Sequence, residues 1–396
     1  MEYTFSNKMA ALKPSAIREI FKSLSDPTII SFAAGNPAPE SFPVEALAAI
    51  SADIFANTAS FALQYGITEG YGPLREAVAA RQKARFGIGR EFDTTLITTG
   101  GQQGIELCCK VLCNEGDTVL CENPSFIGSL NAFRSLGANP VGIPLRAEGG
   151  IDPDALEAAI AANPRAKMLY LIPTFQNPAG STTDIETRRR IYDICRRHNL
   201  IILEDNPYGE LRFAGEDIPT IKSMDEDGIV VYCSSFSKIL SAGMRVGFVI
   251  APEAVAQKMI VAKQVEDVHT NLFFQMLCHR YITEYDLDAH IASIRALYGH
   301  KCKLMLDTLD EYMPKAITYT RPEGGLFIWC TLPDGVDVSD FIKRCLAEKV
   351  AVVPGSAFNP KENEPLQAFR LNYSTPSDEQ IVEGVKRLAK VAREML

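Results

Sequence analysis

The run Ile229-Val230-Val231-Tyr232-Cys233-Ser234-Ser235-Phe236-Ser237-Lys238 decides how this chain folds. Five apolar residues in succession, closed by hydroxyls, read as a strand buried on both faces, and such strands belong to parallel sheets covered by helices. Runs of the same kind recur over residues 95–99, 118–122, 140–145, 167–173, 200–204 and 245–251, and 229–234 completes the set. Helical patterns separate them at 104–113, 126–136, 153–162, 184–198 and 254–270. The last two runs are too close in sequence for a crossover helix, so 245–251 is expected to run antiparallel to its neighbours. The fold class is therefore α/β: a large domain with a seven-stranded, mostly parallel mixed sheet covered by helices, plus a smaller α+β domain.

That smaller domain is read from residues 319–332, 338–348, 351–354, 369–373 and 378–396, where helix and strand alternate beyond a linking helix at 289–309. The expected division is 1–40 as an N-terminal arm, with a helix at 15–24 and an extended stretch at 29–39, packing across the cleft; 41–288 as the large domain; and 289–396 as the small one. No repeat or low-complexity linker separates them.

Open parallel sheets bind ligands beyond the carboxyl ends of their strands. Polar clusters stand at those ends: Gly100-Gly101-Gln102, Ser125-Phe126, Asn177-Pro178-Ala179-Gly180, Asp205-Asn206-Pro207-Tyr208 and Ser235-Phe236-Ser237-Lys238. A lysine amine forms a Schiff base with a carbonyl, while serine hydroxyls, a helix N-terminus and an arginine such as Arg245 grip a phosphate. Pyridoxal 5'-phosphate carries both groups. Taken singly each residue has a plainer reading: a solvated loop lysine, turn-forming Asp205 and Asn177, a core Phe126, a helix-end Tyr65, a surface Arg370. Their convergence on one edge favours the cofactor site.

Bulk properties narrow the class. With 22% charged and 46% hydrophobic residues and a net charge of −9, the chain reads as an ordinary folded protein. The absence of basic runs argues against nucleic acid and anionic membranes as partners. Residues 1–13 hold no hydrophobic signal region, so a cytoplasmic location is expected. The ten cysteines lie scattered in apolar segments, and the five histidines fall on separate predicted helices, so no metal site is expected.

With these residues placed, the sequence resembles the class I/II aminotransferases of pyridoxal-phosphate fold type I over nearly its whole length. Ile17-Arg18-Glu19, Gln64-Tyr65-Gly66, Thr68-Glu69-Gly70-Tyr71, Pro73-Leu74-Arg75-Glu76 and Gly100-Gly101-Gln102-Gln103-Gly104 are most similar to the 2-aminoadipate, kynurenine and aromatic aminotransferase branch. The resemblance implies Lys238 as the Schiff-base lysine, Asp205 as partner of the pyridinium nitrogen, and Tyr208 and Asn177 as donors to the ring's phenolic oxygen. It implies Phe126 stacked on the ring. It assigns the phosphate to Gly101, Gln102, Ser235, Ser237, Arg245 and a Tyr65 reaching across from the other subunit of a homodimer, where Thr270-Asn271 also approach. Arg370 would take the substrate α-carboxylate with help from Asn177, Gly35 would let backbone approach, and Arg18 would meet a distal acidic group.

The reaction so implied is ping-pong transamination, with Lys238 displaced by an amino acid and then acting as general base, and with 2-oxoglutarate as the expected acceptor. The donor is left open among 2-aminoadipate, aromatic and other amino acids. Three rivals stand beside it. A fold-type I lyase would carry out β-elimination at the same site. A transcription regulator would need a DNA-binding domain ahead of an arm that begins almost at Met1. A nucleotide-binding Rossmann protein would need a Gly-x-Gly-x-x-Gly after a strand, and none is present.

Overall fold

The computed structural model describes residues 3–12, 26–362 and 364–396. Its strands are β1 (Ile30–Ser31), β2 (Asp93–Thr98), β3 (Thr118–Asn123), β4 (Asn139–Pro144), β5 (Ala166–Leu171), β6 (Ile201–Asp205), β7 (Val230–Ser235), β8 (Gly247–Pro252), β9 (Thr318–Tyr319), β10 (Phe327–Thr331), β11 (Val350–Ala351), β12 (Val353–Pro354) and β13 (Ala368–Asn372). Seven of them form one sheet in the order β2-β8-β7-β6-β5-β3-β4. β3, β4, β5, β6 and β7 pair in parallel, while β8 is antiparallel to both β2 and β7, as its short connection requires.

Alternation along each strand supplies both faces. Leu120, Leu169, Leu171, Ile202 and Val230 pack with Leu156, Ile191, Ile194 and Cys195 of helices Pro153–Ala162 and Ile185–Arg197. Val119, Cys121, Met168, Tyr170, Leu203, Val231 and Cys233 face the opposite core, against helix Gly100–Leu112. One residue of slip would exchange the two faces, so the register is fixed by burial. Truncating a central side chain such as Leu203, which has no exposed surface, costs about 2–5 kcal/mol.

A second sheet runs β12-β13-β10-β9, antiparallel throughout, and helix Leu287–Tyr312 lies against helix Asp378–Met395 beside it. β1 pairs in parallel with β11, and Phe32 O accepts Asn372 N at 2.8 Å. The stretch after β1 is thereby tied to the second sheet, and it reaches the first through a Lys238 Nζ–Gly35 O bond of 2.6 Å.

Two helix bounds differ from the expectation. The helix expected over 104–113 begins at Gly100, whose φ of +75° is open to glycine; the Gly100-Gly101-Gln102 stretch expected to open it is its first turn. The helix expected to reach residue 270 ends at Glu266, because Asp267 leaves the helical region at a φ of −139° and Val268 follows in a left-handed conformation at +65°. The expected helix at 15–24 lies outside the described residues. No described helix is long and apolar enough to cross a membrane.

Candidate active site

The carboxyl ends of β2, β3, β5, β6 and β7 open on one cleft of 360 Å³, whose far wall comes from the second sheet and the arm. Gly101, Gln102, Phe126, Asn177, Asp205, Tyr208, Ser235, Ser237, Lys238 and Arg245 line it from the first sheet; Arg370, Phe327 and Gly35 line it from the other side. Asp205 and Ser235 are the last paired residues of β6 and β7, whereas Gly101, Phe126 and Asn177 follow the ends of β2, β3 and β5 by three to six residues.

Asp205 ends β6 and is buried. Its Oδ2 accepts the Tyr170 hydroxyl at 2.8 Å, and burial pushes its carboxyl up to about 7. A carboxylate in that surrounding holds a proton or a cationic partner strongly. Lys238 is the opposite case. Burial first, then the charges of Arg370 and Arg245, draw its amine down to about 8, so a neutral, nucleophilic fraction exists near neutrality.

Arg370, on β13, is buried and lies between two aromatic rings, 4.1 Å from the Phe327 centroid and 4.9 Å from that of Phe358. Nη1 donates to Asn177 Oδ1 at 2.8 Å and Nη2 to Ala33 O at 2.7 Å, while Nε has no partner among the described residues. Burial lowers its pKa to about 10. Asn177 Nδ2 in turn donates to the Tyr208 hydroxyl at 3.3 Å, and burial raises that phenol above its usual range. A buried guanidinium with a free donor edge requires an anion.

The other end of the cleft is shaped by glycine. A Cβ on Gly247 would stand 2.6 Å from Gly100 C and 2.8 Å from Gly101 N, and one on Gly100 would meet the Arg245 guanidinium at 2.2 Å. Small residues let the first turn of helix Gly100–Leu112 lie directly beside Arg245, which itself holds a φ of +55°. Helix N–H groups and a guanidinium so paired make an anion seat. The Ser235 hydroxyl, also in the cleft, accepts Ser237 N at 3.3 Å.

Tyr65, expected to reach a neighbouring subunit's site, does not join this cluster within one chain. Tyr65 is 79% exposed, outside the cleft, with its ring edge-on to His269 at 5.9 Å. Arg18 lies outside the described residues. Tyr170, Phe327 and Phe358 were missed by sequence reasoning. Tyr170 left a signal, a hydroxyl in a wholly buried strand that must find a partner; Phe327 and Phe358 left none, since only tertiary packing brings them to Arg370. Among the described residues no cluster of His, Cys, Asp and Glu could hold a metal ion.

Residues 27–388 match the family model described as aminotransferase class I and II. The chain is 40% identical over 397 residues to an aromatic-amino-acid aminotransferase 1 of Thermococcus litoralis, covering 99% of this chain and 95% of that one. It is 40% identical over 395 residues to a 2-aminoadipate transaminase of Thermus thermophilus, with coverage of 99% and 97%. The solved kynurenine aminotransferase of Pyrococcus horikoshii, in complex with PMP and kynurenine, superposes with a TM-score of 0.95 at 38% identity, over 99% of this chain and 97% of that one.

Proposed function

The chain belongs to the class I and II aminotransferases, and from that membership we propose that it is a pyridoxal-phosphate enzyme moving the amino group of an L-amino acid to a 2-oxo acid by a ping-pong mechanism. The observation that carries this reading is that Lys238, Asp205, Arg370 and an anion-ready helix start face one cleft. That donor set fits the cofactor: an amine for its aldehyde, a buried carboxyl for its ring nitrogen, and backbone N–H groups with Arg245 for its phosphate.

When bound, the cofactor supplies an electron-accepting ring and the carbon that carries the amino group between the two half-reactions. Asp205 would keep the ring nitrogen protonated, a role suited to a carboxyl whose burial demands a proton or a cation next to it. Lys238, with its lowered pKa, would take the proton from the substrate Cα and return it to the carrier carbon. Arg370 would hold the α-carboxylate through its free edge, kept flat by Phe327 and Phe358. Asn177 and Tyr208 would hydrogen-bond the ring's oxygen, Phe126 would cover a ring face, and Ser235 and Ser237 would add to the phosphate seat. Gly35 would admit substrate beside the arm, and Arg18 would meet a distal acid.

Aromatic amino acids and 2-aminoadipate are the first donors to test, because the relatives that match at 40% identity are named for them. 2-Oxoglutarate is the proposed acceptor. The test adds amino acids one at a time to the loaded enzyme, without acceptor, and follows the cofactor's absorbance. Aromatic donors or 2-aminoadipate should bleach it stoichiometrically, and 2-oxoglutarate should restore it. Release of ammonia without any need for an oxo acid would replace this reading with the lyase.

The partner is proposed to be a second copy of the chain. Phe55, Phe61, Leu63, Tyr65 and Ile67 are exposed, as are Val261, Val265 and Val268, and the Tyr65–His269 contact joins the two stretches into one surface.

A further inference from the structure

Thr99 stands at the N-cap of helix Gly100–Leu112, where a threonine ordinarily turns its hydroxyl onto the amide of the second or third helical residue. Here it makes no such cap. Its Oγ1 instead donates to Asp267 Oδ2 at 2.7 Å and lies 3.1 Å from Thr270 Oγ1. Asp267 Oδ2 also accepts Gln103 Nε2 at 2.8 Å, and the carboxylate takes Lys263 Nζ at 2.8 Å and 2.9 Å. Lys263 Nζ donates again to Gln103 Oε1 at 2.7 Å, and that same Oε1 accepts Thr99 N at 2.8 Å. Lys263 has no exposed surface.

An ion pair whose lysine is buried and whose carboxylate is only partly covered is a poor source of stability, since an apolar pair of equal volume usually serves as well. This one lies beside the helix start that fronts the cleft, and it engages the Thr99 hydroxyl from outside the helix through Asp267, while Thr99 N is taken by Gln103 within it. The consequence falls on the amides of Gly101 and Gln102. They have no intrahelical acceptor, and with the threonine hydroxyl drawn away they stay open to an anion. The backbone supports the arrangement: Val268, a β-branched residue, is held at a φ of +65° directly after Asp267, a costly conformation that persists only where its surroundings enforce it.

We infer that Asp267, braced by Lys263 and Gln103, is a positioning residue that holds the Thr99 hydroxyl off the helix N-terminus and so keeps those amides free for the cofactor phosphate. The inference rests on the cofactor reading above. Asp267 touches no ligand itself; it acts through Thr99.

The test titrates the cofactor-stripped full-length chain with pyridoxal 5'-phosphate and, separately, with pyridoxal, which lacks the phosphate. Asp267→Ala releases Thr99 to cap the helix, and should weaken the phosphorylated form about tenfold or more while changing pyridoxal by less than about twofold, a tenfold change being about 1.4 kcal/mol. Thr99→Ala alone should bind like the wild type, and the double variant should recover most of the lost affinity. Because Asp267→Ala strands the Lys263 charge, the same titrations are made with Lys263→Met in the background. Equal loss of both ligands, or no recovery on removing the Thr99 hydroxyl, would overturn the inference. A wild-type chain that does not prefer the phosphorylated form would instead overturn the cofactor reading.

Discussion

Asp205 shows how a single residue can set function against stability. Its carboxyl rises from 3.8 to about 7 on burial, so the folded chain holds that proton more tightly than the unfolded chain does. In the cofactor-free protein its contribution to stability therefore falls as pH climbs from about 4 to about 7 and stays low above. About three pKa units at 1.36 kcal/mol each bound the loss near 4 kcal/mol. Asp205→Asn should remove that slope: by chemical denaturation the stripped variant should outlast the wild type at pH 8 by up to that amount, and by much less at pH 5. A gain that does not change with pH would rule out a buried ionisable carboxyl as the cause. If Asp205 is, as proposed, the carboxylate that keeps the ring nitrogen protonated, the loaded variant should meanwhile lose most of its transamination rate. At this scale the sequence was informative where chemistry has few solutions. A lysine after a buried strand and an Asp closing its neighbour could be found from residue type and place. Phe358 could not, because an aromatic on a short turn becomes a ring over Arg370 only through packing.

Among the elements, the seven strands lie within two residues of their expected positions, since two-sided burial writes itself as unbroken apolar runs. Helix starts were less legible. The helical pattern is legible only over 104–113 because glycine opposes helix on propensity, yet Gly100-Gly101-Gln102, expected to open that helix, forms its first turn close against β8. Gly247 records that approach from the other strand, with room for no Cβ against Gly100 and Gly101. Gly247→Ala should force the helix start off β8, at an overpacking cost of about 1–3 kcal/mol. The expected signature is a lowered Tm together with weaker binding of pyridoxal 5'-phosphate than of pyridoxal, relative to wild type. A variant with unchanged Tm and unchanged phosphate preference would mean that the contact yields without consequence.

For the whole molecule the question is where Tyr65 acts. Within one chain it stands clear of the cleft at 79% exposure, on the same apolar surface as Leu63 and Ile67, a placement that sequence alone could not decide because it depends on a second copy. If Tyr65 completes the phosphate seat of a neighbouring chain, mixing two defective proteins should create working sites. Lys238→Ala and Tyr65→Ala chains each lose activity alone: one lacks the amine, the other the hydroxyl lent to its partner. In a mixed dimer the Tyr65→Ala chain keeps its own Lys238 and borrows an intact Tyr65, while the other site lacks both. Random exchange of equal amounts makes half the dimers mixed, each with one good site, so activity should recover to about one quarter of wild type per site. If Tyr65 served its own chain, every site in the mixture would still lack one of the two groups, and unfolding, mixing and refolding would restore nothing beyond the average of the two parents. Sedimentation of the same samples separates the remaining possibility: a monomer that is active at assay concentration would remove the shared site altogether, whereas a Val265→Asp variant, with a charge set into the apolar surface, should sediment as a monomer and be inactive.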